Sequence, residues 1–211
     1  MDSDIHRTQA SKFLIEPLRY WLQENKVDAF VSGNSFVYYP SPTGKNVKPK
    51  RLGPDVYVVL GATPKVRSKW VVWEEQGRYP DLAIELLSPS TEVKDRGNKL
   101  VIYRDHWKVR DYFLFECDDG GLEGFHLVKS AYVSTRADEA GRHACRSLPL
   151  LLGVHQGWLR WYTSDGRLLL TDEERADLER DRADAERARA DAERARADQL
   201  AARLKRLGFE N

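Results

Sequence analysis

An acidic residue interrupts an apolar strand within residues 80–103, which read PDLAIELLSPSTEVKDRGNKLVIY. Glu85 lies between Ile84 and Leu86, and the surrounding apolar run predicts a buried strand. A buried carboxylate costs free energy unless it has a hydrogen-bonded partner, a cation or a metal ion. The fold must therefore bring a compensating group to this strand, and the strand is a candidate functional site.

The length and charge of the chain set modest bounds on its organisation. The 211 residues suffice for one core of ordinary size. Composition changes near residue 170, so we expect a globular domain over residues 1–170 and a charged helical tail over residues 171–211. The formal net charge of +1 gives no whole-protein argument for a polyanionic partner, so a local basic region would have to bind one.

No apolar segment of the sequence is long enough to predict a membrane span or a signal peptide. A spanning helix needs about 18 or more consecutive apolar residues, and no window approaches that length. The first ten residues, MDSDIHRTQA, also lack the apolar centre of a signal peptide. We expect a cytoplasmic protein with no membrane partner.

The periodicity of the apolar residues predicts an α/β fold whose core is a mixed β-sheet flanked by helices. Helical spacing predicts one helix over residues 13–23 and another over residues 95–105, the second with Leu100, Val101 and Tyr103 directed inward. Turn-forming residues Gly33 and Asn34 predict a hairpin between two short strands. The predicted strands are 28–31, 36–39, 55–60, 70–73, 81–87, 112–115, 124–128, 132–134 and 159–162, with a short edge at 168–170.

Two groups of basic residues precede the strand that contains Glu85. The first lies in the segment 40–53, whose prolines and glycines argue against regular structure. This first group could follow a phosphate backbone, or it could be an ordinary solvated surface loop. The members of the two groups are Lys45, Lys48, Lys50 and Arg51 in the first group and Lys65, Arg67 and Lys69 in the second.

The tail has the pattern of a long, charged helix. Thr171 followed by Glu174 is the signature of a capping box at a helix start. The heptapeptide RADAERA then occurs twice, at 182–188 and 189–195, and each Arg–Glu pair four residues apart stabilises a helix by about 0.2–0.5 kcal/mol. Alanine buries little area, so the pattern favours a solvated helix over a tight coiled coil. A homodimer through Leu200, Leu204 and Leu207 remains an alternative.

Three residues suggest a reaction centre: Asp55 at the start of one strand, Glu85 within another, and Lys99 on the helix that follows. Two carboxylates on adjacent strands can share a magnesium ion, and a lysine can orient water or offset negative charge on a phosphate. Each residue could instead have an ordinary structural role. Asp55 could end a turn, Lys99 could pair with Asp95 along the helix, and Asp81 could be the second ligand or a solvated strand end.

The same residues carry a resemblance to a known family. The pair Pro54–Asp55, the block 80–91, Lys99, Tyr103 and the entry to the strand at 109–112 resemble the Uma-type restriction endonuclease family, over about residues 14–174. That family belongs to the PD-(D/E)xK nuclease superfamily. The resemblance implies a restriction-endonuclease-like core in which Asp55 and Glu85 bind metal, with the Leu86 carbonyl as a further candidate ligand, and in which Lys99 is the catalytic lysine.

One position departs from the superfamily pattern. The lysine usually follows the glutamate by two residues, and Leu87 occupies that place here. Members of the Uma-type family carry the lysine on the following helix, so Lys99 is the natural substitute and Lys94 the fallback. The sequence offers no clear counterpart of the family's early glutamate near Asp28, so an additional carboxylate ligand is not assigned.

These observations predict a metal-dependent endonuclease that hydrolyses phosphodiester bonds of DNA with magnesium, or with manganese in its place. The catalytic residues are predicted to be Asp55, Glu85 and Lys99. Two alternatives remain open at this point. One is a catalytically inactive protein that binds nucleic acid or drives assembly on a nuclease fold, and the other is a hydrolase of small phosphate esters.

Overall fold

The computed structural model describes residues 2–41, 48–63, 65–88 and 95–206 of the chain. The chain divides into two compact units, one up to Leu169 and one from Leu170 onward.

The first unit contains short helical segments and twelve strands within the described residues. The helical segments are α1 (Asp2–Thr8), the π-helical π1 (Gln9–Ile15), α2 (Glu16–Glu24), and the π-helical π2 (Asp95–Lys99) and π3 (Ile102–Trp107). The strands are β1 (Ala29–Gly33), β2 (Val37–Tyr39), β3 (Lys50–Leu52), β4 (Val56–Leu60), β5 (Trp70–Val71), β6 (Leu82–Leu87), β7 (Asp111–Glu116), β8 (Leu122–Val128), β9 (Ala131–Ser134), β10 (His143–Ala144), β11 (Leu150–His155) and β12 (Trp158–Thr163).

The main sheet has six strands in the order β1-β4-β6-β7-β8-β9. The central pair β6 and β7 is parallel, and the other neighbours are antiparallel. A parallel pair needs a crossover connection, and the segment that contains π2 and π3 lies between these two strands in sequence. The expected α/β architecture with a mixed sheet and flanking helices is confirmed.

Alternation along the strands divides the core into two layers, one on each face of the main sheet. On β6, Leu82, Ile84 and Leu86 join the layer that contains α2 and the β11–β12 pair. Ala83 and Leu87 join the opposite layer, which contains the aromatic residues of π3. Glu85 has the same parity as Ala83 and Leu87, so its side chain belongs to the aromatic layer.

Buried polar side chains join distant segments of the first layer. The amide of Gln9 is fully buried and makes two hydrogen bonds to the backbone of Leu159, donating to its carbonyl at 2.8 Å and accepting from its N–H at 2.9 Å. The indole of Trp161 donates to the carbonyl of Leu14 at 2.9 Å. These bonds fix the N-terminal helical segments against β12, because buried donors and acceptors left unpaired would be costly.

A second buried carboxylate, Asp111, lies at the start of β7 and is structural. Its oxygens accept hydrogen bonds from the backbone N–H groups of Arg146 and Ser147 and from the Ser147 hydroxyl, and His126 Nδ1 lies 2.7 Å from Oδ1. Since the Ser147 hydroxyl contacts the carboxylate rather than the imidazole, these residues do not have the geometry of a catalytic triad. Asp111 instead holds the segment before β11 against the sheet.

Several sequence-based expectations for the first unit were wrong. Strands β1 and β2 do not form a hairpin, because β1 pairs with β4 while β2 pairs with β3 and β5 in a separate three-stranded sheet. The basic segment 40–53 contains the strand β3, which was not expected. Strands β10 and β11 were also missed; they form a third sheet with β12. Val101 is 43% exposed rather than directed inward.

Within the described residues, the second unit contains α3 (Asp172–Arg206), a 35-residue helix with no buried residue. Its capping box is confirmed: the N–H of Thr171 donates to the Glu174 carboxylate at 2.8 Å, and the N–H of Glu174 donates to the Thr171 hydroxyl at 3.2 Å. Leu200 and Leu204 are 61% and 51% exposed. None of the helices described here combines the length and apolar character that a membrane span requires.

Candidate active site

Pairing between β4 and β6 brings Asp55 to Glu85. Val56 pairs with Ile84 in antiparallel register. Asp55 and Glu85 are therefore the next residues opposite each other, and their side chains lie on the same face of the sheet. Two hydrogen bonds connect them through the backbone: the N–H of Leu86 donates to Asp55 Oδ2 at 2.8 Å, and the N–H of Asp55 lies 3.4 Å from Glu85 Oε2. The two carboxylates predicted from the sequence are therefore neighbours.

The carboxylate of Glu85 is fully buried, and each of its oxygens has a hydrogen-bond donor from the crossover segment. Lys99 Nζ lies 2.7 Å from Oε2, and the hydroxyl of Tyr103 donates to Oε1 at 2.5 Å. The Lys99 side chain is 11% exposed and Tyr103 is fully buried. The compensating groups that a buried glutamate requires thus come from one segment, and Lys99 is among them.

Lys99 and Tyr103 reach the same carboxylate because they are four residues apart in a helical segment. Side chains at that spacing lie on one face of a helix. Tyr103 then packs against Trp107 and Tyr112, with ring centroids 5.0 Å and 5.1 Å away, which fixes the position of its hydroxyl. Sequence reasoning assigned no role to the Tyr103 hydroxyl, although its spacing from Lys99 was a usable signal.

Gly33, the last residue of β1, fixes the backbone of Asp55. A Cβ atom at Gly33 would lie 2.3 Å from the carbonyl oxygen of Asp55. The backbone segments at Gly33 and Asp55 therefore approach each other more closely than any side chain at position 33 would permit. The N–H of Asn34, which has a φ of 51°, donates to the same carbonyl at 3.2 Å. The turn after β1 was expected to begin a hairpin, and instead it holds Asp55 in place.

Burial controls the electrostatics of the site. Loss of solvent raises the pKa of Glu85 to about 8; the Lys99 ammonium opposes this shift, and the negative charge of Asp55 adds to it. Burial also raises the pKa of Tyr103 well above its usual value, so its hydroxyl remains a proton donor. Cys117 is a free thiol whose pKa is raised to about 12 by burial and by Asp55. The thiol therefore stays protonated and is a poor metal ligand.

The other residues considered from the sequence lie elsewhere. Asp81 accepts hydrogen bonds from the N–H of Leu60 at 2.7 Å and from Arg110 at 2.7 Å, at the opposite end of β6 from the Glu85 end. Four residues of strand separate Asp81 from Glu85, or about 13 Å. Asp81 therefore stabilises the sheet and is not brought to the site. Lys94, the fallback lysine, and Lys45 of the first basic group lie outside the described residues.

The site offers few side chains that could bind a metal ion. Within the part of the chain that the structure describes, no group of three or more His, Cys, Asp and Glu side chains is arranged to hold a metal ion. Cavities of about 710 Å³, bordered by Arg19 and Phe30, and about 340 Å³, bordered by Trp107, do not include Asp55, Glu85 or Lys99. The chemistry of these residues, rather than the size of a cavity, identifies the candidate site.

The raised pKa of Glu85 predicts a pH-dependent contribution to stability in metal-free protein. Because the folded-state pKa lies above the ordinary value of 4.5, this contribution is complete below about pH 4.5 and is lost as the pH rises through about 8. Urea unfolding in EDTA should therefore show that wild type loses stability relative to Glu85→Gln between pH 5 and 8. The other titrating groups are common to both proteins, so their contributions cancel in the comparison. Parallel plots of unfolding free energy against pH for the two proteins would contradict the prediction.

Comparison with known proteins places the chain in a family. The family model of Uma2, described as "Putative restriction endonuclease", matches residues 1–158 of the 211. A Synechocystis sp. (strain ATCC 27184 / PCC 6803 / Kazusa) protein described as "Uncharacterized protein slr1290" is 32% identical over 73 residues. That alignment covers 35% of this chain and only 35% of the relative. On the evidence of the family match and the mixed α/β architecture, the chain belongs to the Uma2 family and has a restriction-endonuclease-like fold.

Proposed function

We propose that the protein is a magnesium-dependent endonuclease that hydrolyses phosphodiester bonds of DNA. One observation carries this proposal: Asp55 and Lys99, which come from two other segments of the chain, both lie beside the buried carboxylate of Glu85. The family's description as restriction endonucleases supports a nuclease reaction. Cleavage adds water across one P–O bond and leaves a phosphate monoester and a hydroxyl group.

The residues present fit a hard divalent cation. Magnesium is commonly bound by one or two carboxylates, with water and substrate phosphate oxygens completing its shell. Asp55 and Glu85 supply two adjacent carboxylates, so a larger cluster of acidic residues is not needed. Manganese accepts the same oxygen ligands and should replace magnesium. When bound, such an ion would neutralise phosphate charge and lower the pKa of water.

The chain's own groups have distinct roles in this proposal. Asp55 and Glu85 would bind the cation, and the Leu86 N–H holds the Asp55 carboxylate in position. Lys99 would orient the attacking water or offset the charge that develops on the phosphate, since its ammonium already lies 2.7 Å from Glu85. Tyr103 would act as a positioning residue, because its buried hydroxyl contacts Glu85 Oε1 and fixes the carboxylate plane.

The proposal predicts that Glu85→Ala abolishes magnesium-dependent cleavage of DNA. The substitution removes a metal-binding group and the partner of Lys99, so we expect a loss of about a thousandfold or more. Gel assays with supercoiled, linear and single-stranded DNA would measure it, with circular dichroism to show that the variant is folded. Glu85→Gln, which preserves side-chain volume, should lose activity to a similar extent.

Asp81→Asn is the matched control for that experiment. It replaces the acid that immediately precedes β6 and that binds Leu60 and Arg110 rather than the site, so cleavage should persist. Wild-type activity in both Glu85 variants would exclude the assignment. An equal loss in Asp81→Asn would show that the assay reports general damage to the sheet.

Tyr103→Phe tests the positioning role separately. Removing a group that orients a metal ligand typically costs about 10–100-fold in activity, and here the loss should appear in kcat. KM for DNA should stay unchanged, because Tyr103 is fully buried and cannot contact a polymer. Tyr57→Phe is the control, since Tyr57 is also buried but its hydroxyl contacts Ser35 at 3.0 Å. An unchanged kcat in Tyr103→Phe, or the same loss in Tyr57→Phe, would contradict the role.

A second candidate is a catalytically inactive protein that binds nucleic acid or assembles through its tail. The observation that favours it is α3, a 35-residue helix with no buried residue and with exposed leucines. A homodimer through this helix remains a prediction of that alternative. Wild-type protein that binds DNA but cleaves neither DNA nor small phosphate esters with magnesium or manganese would favour this candidate over the nuclease.

A further inference from the structure

The small sheet formed by β3, β2 and β5 has an outer face on which aromatic and basic side chains lie together. Its strand order places β2 in the centre, with Tyr38 paired to Arg51 on one side and to Val71 on the other. Phe36 lies two residues before Tyr38, and Lys69 two residues before Val71. The side chains of Phe36, Tyr38, Arg51 and Lys69 are called the basic aromatic patch below.

Cations of the patch lie over its rings. The Arg51 guanidinium is 4.5 Å from the centroid of the Phe36 ring, and the Lys69 ammonium is 5.3 Å from that of Tyr38. The Phe36 and Tyr38 rings are themselves 6.3 Å apart in an edge-to-face arrangement. These contacts hold long basic side chains beside flat apolar surfaces, rather than leaving them independently solvated.

The patch remains accessible to a ligand. Phe36 is 45% exposed, Tyr38 is half-buried, and Arg51 and Lys69 are exposed. A single exposed aromatic ring is unremarkable on a protein surface. The combination differs because each ring lies beside a positive charge.

One end of the patch lies near Asp55 along the chain. A Cβ atom at Gly53 would lie 3.4 Å from the Phe36 ring, so this ring packs beside Gly53. Gly53 precedes Asp55 by two residues, which span about 7 Å at most. A polymer bound at the Phe36 end of the patch would therefore lie near the backbone of Asp55.

We propose that the basic aromatic patch binds single-stranded DNA and delivers it to Asp55 and Glu85. Arg51 and Lys69 provide charge for the phosphates, while Phe36 and Tyr38 provide surfaces for unpaired bases, which is the combination that single-stranded nucleic acids require. Bases in an intact duplex are stacked on one another and do not offer their faces to such rings. This inference rests on the proposed function, because it names the substrate form used at the same site.

The test measures binding of a fluorescent 20-residue oligothymidylate to the full chain in EDTA, where metal-dependent cleavage cannot occur. Phe36→Ala should weaken binding by about 5- to 150-fold, the loss expected when one base loses its aromatic partner. Tyr20→Ala is the matched control, since Tyr20 is also 45% exposed but lies on α2, and it should bind as wild type does. A duplex of the same length should bind more weakly and respond less to Phe36→Ala.

Salt dependence provides a second readout that does not rely on the phenylalanine. Arg51→Gln and Lys69→Gln should each reduce the slope of log K against log salt concentration by about 0.7, because each removes one phosphate contact on a single strand. Unaltered affinity in Phe36→Ala together with unaltered slopes would overturn the inference, even if wild type cleaves DNA. Loss of binding in Phe36→Ala would support the inference that the patch binds single-stranded DNA. Wild-type protein that binds the oligonucleotide but never cleaves DNA would contradict only the proposed hydrolysis.

Discussion

The free-energy cost of burying the Glu85 carboxylate is the constraint on which the arrangement of the site depends. A charge with no solvent contact is tolerated only where other groups neutralise it or bond to it. Here Lys99 and Tyr103 bond to the carboxylate from the crossover between β6 and β7, and the backbone N–H of Asp55 approaches it from β4. One buried acid thereby fixes the mutual positions of a central strand, its neighbour and the segment that follows it.

The same contacts link stability to the proposed chemistry. In the metal-free protein, burial raises the pKa of Glu85, whereas a bound cation would require the ionised form. Lys99 and Tyr103 each contact one oxygen of the carboxylate and hold it in one orientation. Under the proposed function, a divalent ion would bind to this prearranged acid, and the proposed patch would bring a polyanionic strand to it.

The sequence was most informative where a residue broke a local rule. Glu85 in an apolar run predicted a site, and Asp55 and Lys99 were correctly expected to meet it. Their convergence was expected from the resemblance to the Uma-type family, because it depends on pairing between β4 and β6 and on the crossover, which are not local properties. The Thr171–Glu174 capping box was foreseen from the sequence alone, because its two residues are only three positions apart.

Non-local pairing was harder to foresee. The expected hairpin was wrong because β1 pairs with β4, some thirty residues later, and propensity carries no information about that choice. The strand β11 was missed because its apolar run has no clear alternation. The basic aromatic patch depends on three strands pairing in the order β3-β2-β5, so the grouping of Phe36 with Arg51 and Lys69 was invisible in the sequence.

The central claim is that Asp55 and Glu85 together bind a divalent metal ion. Its most direct test is anomalous X-ray diffraction from crystals of the protein soaked in manganese, with an Asp55→Asn variant as the comparison. We predict an anomalous peak in contact with one carboxylate oxygen of each residue in wild type, and a strongly reduced peak in the variant. Manganese that binds only elsewhere, or no peak between the two carboxylates at saturating manganese, would contradict the account.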